Sequence, residues 1–312
     1  MKIIPIVFCF DENLLSPAIV SLTSLLENAN SNTFYDIYII YPNKYDYTNT
    51  PITKLTDIYQ RCKITYRPIS DVFRGAFEIR GITTPAYYRL LIPELIPEYD
   101  KILYSDVDVI FRDDLSIFYD LDISDYYFGA VDVGVVLRKD IARYVESVLH
   151  LNVDNGYYYS GNLIINSRKL KEDGKLDLFR KLALNKYHYQ DMDIINIACN
   201  GKIKSLSPSF CLTNYLLTLI LYRNTEYQRF FSEEELSYAL TKGIIHYNGT
   251  KPWNGNCHNQ DVWWYYYRKS LIYDEAYIYQ FYKQRIEEIE DWTLSKRVKH
   301  LFRFFTSGYA KE

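Results

Sequence analysis

Lys101-Ile102-Leu103-Tyr104-Ser105-Asp106-Val107-Asp108-Val109-Ile110-Phe111 is the stretch on which the fold turns. Its first five residues make a short apolar run of strand length, and that run delivers two carboxylates at i and i+2. In extended backbone, side chains two apart point the same way, so Asp106 and Asp108 face one point in space. Paired oxygen donors suit hard divalent cations such as Mg²⁺ and Mn²⁺. A cation held there neutralises a diphosphate and makes it a better leaving group. Asp-x-Asp alone is a weak signal, because it recurs in solvated turns. Its setting strengthens it: carboxylates beside a buried strand are costly unless a cation or donor compensates them, and Ile110-Phe111 returns at once to apolar sequence.

Working outward, strand and helix patterns alternate. Ile3 to Phe10 is a continuous apolar run, as expected of a strand covered on both faces. Ser16-Pro17 reads as an N-cap and first helical position, followed by helical spacing at Leu15, Ile19, Leu22 and Leu26. Residues 35–41 form a second strand pattern, Thr50-Pro51 opens a helix, and 63–69 form a third strand. Thr84-Pro85 again looks like N-cap and first turn, with Tyr88, Leu91 and Leu95 on one face. Further strands are expected at 127–131, 163–166, 202–206 and 243–247, and helices at 170–184 and 191–199. The alternation predicts an α/β fold with a largely parallel sheet.

A chain of 312 residues with 48% hydrophobic content has ample material for a packed core. The net charge of -3 gives no electrostatic case for a nucleic-acid partner. The 33 tyrosines offer flat apolar area with a polar tip, suited to stacking on sugars and bases, although a biased genome accounts for most of them. Cys9, Cys62, Cys199, Cys211 and Cys257 are scattered and form no C-x-x-C, so neither a disulfide framework nor a zinc knuckle is expected and a reducing compartment fits. The apolar run before Asp11 is too short for a signal segment or a membrane span, which predicts a cytoplasmic protein.

Composition shifts after residue 265, dividing the chain into a 1–265 main unit and a 266–312 helical, basic-aromatic region. There Leu294, Val298, Leu301 and Phe305 keep helical spacing, while Lys296, Arg297, Lys299 and Arg303 fill other faces. A basic amphipathic helix suits an anionic membrane surface, here the inner face of the plasma membrane. Packing on the main domain with a solvated basic face is the other reading.

Far downstream, an apolar strand ends at His246 in Ile244-Ile245-His246-Tyr247-Asn248-Gly249-Thr250-Lys251-Pro252-Trp253. Imidazole can complete a metal site, and a Lys beyond a Gly-containing loop can contact phosphate as a point charge.

Four separated segments then carry a resemblance. They are Ile6-Val7-Phe8 with Asp11-Glu12-Asn13; Tyr87-Tyr88-Arg89-Leu90 ahead of Leu103-Tyr104-Ser105-Asp106-Val107-Asp108; Gln190-Asp191-Met192-Asp193-Ile194-Ile195-Asn196; and His246-Tyr247-Asn248-Gly249 with Lys251-Pro252-Trp253. In this order the sequence resembles glycosyltransferase family 8, the group that includes bacterial lipopolysaccharide galactosyl- and glucosyltransferases and glycogenin. The resemblance implies a GT-A fold: a Rossmann-like nucleotide-binding unit with a mixed, mostly parallel sheet flanked by helices, here with a small helical C-terminal appendage. It implies a UDP-sugar donor, Mn²⁺ (with Mg²⁺ as the substitute), and retaining transfer of a hexose. The acceptor would be a saccharide or glycolipid in the synthesis of cell-surface glycan, lipopolysaccharide or capsule. By position, Asp106, Asp108 and His246 would hold the metal. Asp11 and Asn13 would contact the uridine, with Cys9 near the base and Val107 beside the nucleotide. Arg89 and Asp191 would reach the donor as the expected catalytic pair, and Gly249 and Lys251 would hold the diphosphate. Asp132, Tyr159, Ser160, Asp191 and Met192 would face the sugars. Taken as residues only, Asp11 and Asn13 could equally cap the first helix, Arg89 could pair with a carboxylate, Asp191 could be an N-cap, and Asp132 could belong to a turn.

The sequence departs from the family pattern at four places. Tyr159-Ser160-Gly161 stands where Asn-Ala-Gly or Asn-Ser-Gly is common, so a phenol replaces an amide. Leu14 replaces an aromatic near the uracil, Met192 stands where galactosyltransferases often have Gln, and the loop from Gly249 to Lys251 is one residue shorter than usual. These leave the sugar open and give a nucleophilic amide no place at 192. A haloacid-dehalogenase phosphatase also uses Asp-x-Asp, but in its first strand and with Thr or Val where Ile110 stands. A catalytically impaired nucleotide-sugar- or carbohydrate-binding homologue is the alternative that Tyr159 and Met192 keep in view.

Overall fold

Strands buried on both faces need continuous apolar runs, and the first half of the chain supplies them. The computed structural model describes residues 1–306 apart from 71, 74, 79–83, 223 and 224, with backbone alone at 289, 300 and 303–306. Its strands are β1 (Lys2–Cys9), β2 (Thr33–Pro42), β3 (Cys62–Ile69), β4 (Lys101–Ser105), β5 (Val109–Phe111), β6 (Phe128–Ala130), β7 (Asn162–Asn166), β8 (Ile203–Ser205), β9 (Leu212–Thr213) and β10 (Ile244–His246). Seven of them form one sheet in the order β3-β2-β1-β4-β7-β6-β8, parallel throughout except for β7, which runs antiparallel to both of its neighbours. Alternate residues of β1 enter opposite cores, with Ile4, Ile6 and Phe8 on one face and Val7 and Cys9 on the other. This is the mixed, mostly parallel sheet that the sequence pattern and the resemblance both predicted.

A second sheet, β5-β10-β9, lies beside the first. β10 pairs antiparallel with β5, setting His246 opposite Val109, and parallel with β9, setting His246 beside Thr213. Neither β5 nor β9 was expected as a strand. Only three residues separate the end of β4 from the start of β5, and β9 is two residues long, so neither stands apart in the sequence as a strand of its own.

Local starts also differ from expectation. The first helix, Leu15–Glu27, follows a short 3-10 turn, Glu12–Leu14, whose N-cap is Asp11; Ser16 lies inside the helix and does not cap it. Thr84 makes no side-chain capping bond, and its segment breaks into Pro85–Tyr88, a 3-10 turn and Ile92–Leu95, because Pro93 interrupts it. The helix expected over 170–184 is two, Ser167–Glu172 and Lys175–Leu182, separated by Gly174 at φ 63°. Only Gly takes that left-handed geometry without strain.

The expected domain boundary at 265 falls inside the helix Gln260–Lys269. That helix buries Trp263, Trp264, Tyr266 and Tyr267 against Val20, Ile110, Ile245 and Tyr247, and the next helix, Glu275–Glu290, adds Ile278 and Phe281 to the same cluster. The change in composition at 265 is therefore no break in packing. In the last helix, Leu294–Thr306, the apolar residues Leu294, Val298, Leu301 and Phe302 are all exposed, while the side chains of Arg303 and Phe305 lie outside the described residues.

Candidate active site

The strand order reverses between β1 and β4: β2 and β3 extend from one side of β1, and β4 joins the other. In open α/β sheets the carboxyl ends of strands at such a switch point form a crevice. Here those ends are Cys9 and Ser105, with Phe8 registered against Ser105. Cys9, Asp106 and Asp108 line a cleft of about 860 Å³ that opens there, a volume typical of small-molecule sites.

Two backbone links fix the carboxylates. Asp106 N–H donates to Gly161 carbonyl at 2.7 Å, carrying the β4–β7 pairing one residue past the strand. Tyr247 N–H donates to Asp108 carbonyl at 3.0 Å, and β5 starts at the next residue. Because β10 pairs with β5, His246 is brought to the Asp106–Asp108 turn from far along the chain. One ligand atom from each of Asp106, Asp108 and His246 lies within 4.8 Å of the other two. His246 Nε2 is 3.3 Å from Asp108 Oδ1 and 3.8 Å from Asp106 Oδ2. Its other nitrogen, Nδ1, is 3.4 Å from Cys211 Sγ, which orients the ring.

This donor set fits a divalent cation. Two carboxylates and one imidazole are ligands that Mn²⁺ and Mg²⁺ accept, and Gly161 leaves the room. A Cβ there would overlap His246 Cε1 and stand 2.8 Å from Asp106 Oδ2. Charges on the protein balance the carboxylates. Lys251 bonds Asp108 Oδ2 and donates to Tyr247 carbonyl at 2.6 Å, while Arg89 Nη2 donates to Asp106 Oδ1 at 2.8 Å. Burial by itself would raise the Asp108 carboxyl, but His246 and Lys251 outweigh it and hold the group below the usual carboxylate range. Burial likewise opposes a charged His246, yet Asp108 prevails and raises the imidazole above its ordinary value.

Arg89 is the hub behind the metal position. It is 6% exposed, donates through Nη1 to Ser160 carbonyl at 2.6 Å, and sits 4.5 Å from the Tyr104 ring centroid. Its Nε is 3.3 Å from Asp191 Oδ2. Burial raises the Asp191 carboxyl above its ordinary range, partly offset by Arg89 and by a hydrogen bond from Ser160. Asp191 opens the helix Asp191–Ala198, as its first residue and not as its N-cap, which is Gln190. Tyr104 OH donates to Asp106 Oδ1 at 2.6 Å, so two donors hold the same oxygen.

The description of glycosyl transferase family 8 matches residues 5–257 of the sequence. The chain belongs to glycosyltransferase family 8. It is 27% identical over 253 residues to a lipopolysaccharide 1,2-glucosyltransferase of Escherichia coli, covering 78% of this chain and 71% of that one. It is 26% identical over 269 residues to general stress protein A of Bacillus subtilis, covering 82% and 89%. Among solved structures, the galactosyltransferase LgtC in complex with donor and acceptor sugar analogs superposes with a TM-score of 0.69 at 22% identity, over 88% of this chain and 99% of that one. The apo bifunctional WbbM glycosyltransferase gives 0.71 at 21% identity over 90% of this chain, which spans 51% of WbbM. At such identities the structural likeness speaks for the fold, and that fold is GT-A.

Within this family-8 cleft, Cys9, Asp11, Arg89, Val107, Tyr159, Ser160, Asp191, Met192, Gly249 and Lys251 all contribute to the lining. Asp11 does two things at once, since its Oδ1 also accepts from Asn13 N–H at 3.0 Å. Asn13 itself is exposed and is absent from the described cleft lining. Asp132, expected to face the sugars, is absent from the described cleft lining. Its Oδ1 accepts from Gly134 and Val135 N–H and its Oδ2 from Tyr157 N–H, so the carboxylate is consumed by the main chain. Tyr159, where relatives often place an amide, is 8% exposed and its hydroxyl accepts from Thr213 at 3.2 Å.

Sequence reasoning missed several contributors. Tyr104 and Cys211 orient Asp106 and His246, and Arg138, Asn214, Tyr215 and Asn248 line the cleft. Tyr104 was discoverable, since it lies two residues before Asp106 on the same strand face. Cys211 and Arg138 carry no local signal.

Proposed function

We propose that this chain is a retaining hexosyltransferase that moves a sugar from a UDP-sugar to a saccharide or glycolipid acceptor in cell-surface glycan synthesis, with Mn²⁺ or Mg²⁺ as the metal. The observation carrying the reading is the meeting of Asp106, Asp108 and His246 in one cleft at the switch point of the sheet, with Lys251 beside them. These three residues would hold the cation, which when bound supplies positive charge to stabilise the departing diphosphate.

The rest follows from the chain's own groups. Cys9 and Asp11, at the carboxyl end of β1, form the nucleotide end. Lys251 is tethered to Asp108 and aimed into the cleft, where it meets phosphate as a point charge. Asp191, pinned by Arg89, offers an acceptor for a sugar hydroxyl, and Arg89 keeps Asp106, Ser160 and Asp191 in register. Preorganised charge of this kind usually lowers the barrier to such chemistry more than any other single effect. Met192 has no group able to attack the anomeric carbon. A front-face displacement then fits, in which a leaving diphosphate oxygen takes the acceptor hydroxyl's proton.

Measuring Mn²⁺-dependent UDP release across a panel of UDP-sugars and saccharide acceptors tests the assignment. Turnover with a defined anomeric product supports it. UDP and Mn²⁺ binding with no turnover for any pair favours the impaired homologue that Met192 and Tyr159 suggest.

The exposed apolar side of Leu294–Thr306, together with Lys296, Arg297 and Lys299, supports peripheral binding to an anionic bilayer, which would keep the enzyme beside a lipid-linked acceptor. No helix among the described residues is long and apolar enough to cross a membrane.

A further inference from the structure

The cations that line the cleft are not equally committed. Arg89 is bound to Asp106, Asp191 and Ser160 carbonyl, Lys251 to Asp108 and Tyr247 carbonyl, and His246 to Asp108, Asp106 and Cys211. Arg138 is different. Among the described residues its one ion pair is to Asp140 Oδ2 at 3.4 Å, and that carboxylate's side chain is 72% exposed, so the pair lies in water and contributes little. Arg138 nonetheless lines the cleft, its own side chain only 27% exposed, and its guanidinium sits 4.5 Å from the Tyr215 ring centroid.

The position is built. Gly134, at φ 72°, starts the 3-10 turn Val135–Leu137, and Asp132 clamps that turn by accepting from Gly134 and Val135 N–H. Arg138 follows directly and leads into the helix Lys139–Ser147. Thr213 donates to the Tyr159 hydroxyl at 3.2 Å, and Tyr215, two residues further on, lies under the Arg138 guanidinium, so Arg138 belongs to the Tyr159 side of the cleft, the sugar half in the nucleotide-sugar reading. The carboxylates in the cleft lining are Asp11, Asp106, Asp108 and Asp191; the last three are paired with Arg89, Lys251 or His246, and none is paired with Arg138. A stacked, half-sheltered guanidinium with open donors is suited to bidentate recognition of carboxylate or phosphate.

We propose that Arg138, held against Tyr215, is a specificity residue that selects a saccharide bearing an anionic group, a carboxylate or phosphate, in the sugar half of the cleft. The inference rests on the nucleotide-sugar reading for the location of that half. The anion has two sources, the transferred sugar or the acceptor, and binding measurements separate them.

Calorimetric titration of the full chain with Mn²⁺ compares UDP-glucose with UDP-glucuronate in one arm. In the other it compares maltose with maltose 6′-phosphate, with and without UDP. Arg138→Gln removes the charge and Arg138→Lys retains it without the fork. The expected result is that the anionic ligand binds about 10- to 100-fold more tightly than its neutral partner in one arm. Arg138→Gln brings that ratio towards one, and Arg138→Lys keeps part of it. The donor arm responding places the anion on the transferred sugar, and the acceptor arm places it on the acceptor. Equal binding of neutral and anionic ligands in both arms overturns the proposal. So does a preference that Arg138→Gln leaves intact, or an equal loss for UDP alone, which would make Arg138 a diphosphate contact. Absence of UDP binding in the unaltered protein counts against the nucleotide-sugar reading, while the acceptor arm without nucleotide still reads Arg138.

Discussion

A methyl group on Gly161 would overlap His246 Cε1 and press on Asp106 Oδ2 at 2.8 Å. Both atoms belong to groups held in place by their partners, so the conflict is relieved only by moving a candidate ligand. Gly161→Ala is expected to cost about 1–3 kcal/mol of stability and to weaken Mn²⁺ binding, read by thermal denaturation and by Mn²⁺ titration of the same sample. Unchanged Mn²⁺ affinity would show that the carboxylates and imidazole do not converge as described. Asp108→Asn keeps the shape and removes a charge that His246 and Lys251 both face. We expect Mn²⁺-dependent UDP release to fall about 10²- to 10³-fold, the scale for losing one preorganised electrostatic group, and the melting temperature to fall with the fold retained, because His246 and Lys251 lose their buried counter-charge. Loss of fold with loss of activity would instead make Asp108 a structural anchor. The candidate metal residues were legible from sequence because two are close neighbours in a strand-end pattern and the third closes a recognisable segment. Arg138 and Cys211 were not, because their contacts arise across the fold.

At the scale of elements, Asp114 shows how a loop residue ties three pieces together. Its carboxylate accepts from Asn30 N–H at 2.9 Å, Thr33 Oγ1 at 3.1 Å, Tyr35 OH at 3.1 Å and Ser116 N–H at 2.9 Å. These bonds join the turn before β2, β2 itself and the short helix after β5. Burial alone would raise this carboxyl, but the bonds from Ser116, Asn30 and Thr33 outweigh it and lower it from 3.8. Asp114→Ala leaves several buried donors unmet and is expected to destabilise the protein by about 1–3 kcal/mol near neutral pH, measured by urea unfolding. A lowered folded value means the ionised group stabilises the protein above the unfolded value and stops doing so as pH falls through the folded one. The gap between Asp114→Ala and the unaltered chain should therefore narrow below about pH 4. A gap that stays constant or widens there would contradict the assignment. None of this was readable in sequence, where Asp113-Asp114 is an ordinary acidic pair after a strand.

At the scale of the molecule, the aromatic C-terminal segment closes over the second sheet. Trp264 is fully buried, its ring 4.8 Å from both Trp263 and Phe281, and Asn28 reaches the same helix by donating to Tyr266 OH at 2.7 Å. The composition change at 265 thus marks no structural seam. Beyond it, Leu294–Thr306 turns apolar residues to solvent, with Leu294 79% and Phe302 69% exposed. If that face meets an anionic bilayer, the double substitution Val298→Glu and Leu301→Glu should abolish co-flotation with vesicles rich in phosphatidylserine or phosphatidylglycerol. UDP release in solution should be unaffected by it. Equal flotation of both proteins would remove the membrane role.

Sequence by itself determined the parallel half of the sheet, because doubly buried strands must be continuously apolar and so announce themselves. It also singled out the candidate metal and nucleotide residues, whose chemistry requires particular side chains at particular spacings. Tertiary structure alone decided which sequence-distant groups meet. β5–β10 pairing carries His246 to Asp108, Arg89 spans Asp106 and Asp191, Asp132 is spent on backbone amides, and Arg138 is stacked on Tyr215 in the cleft. The reason is that periodicity and propensity are local, whereas pairing across long loops depends on which contacts close together once the whole core has formed.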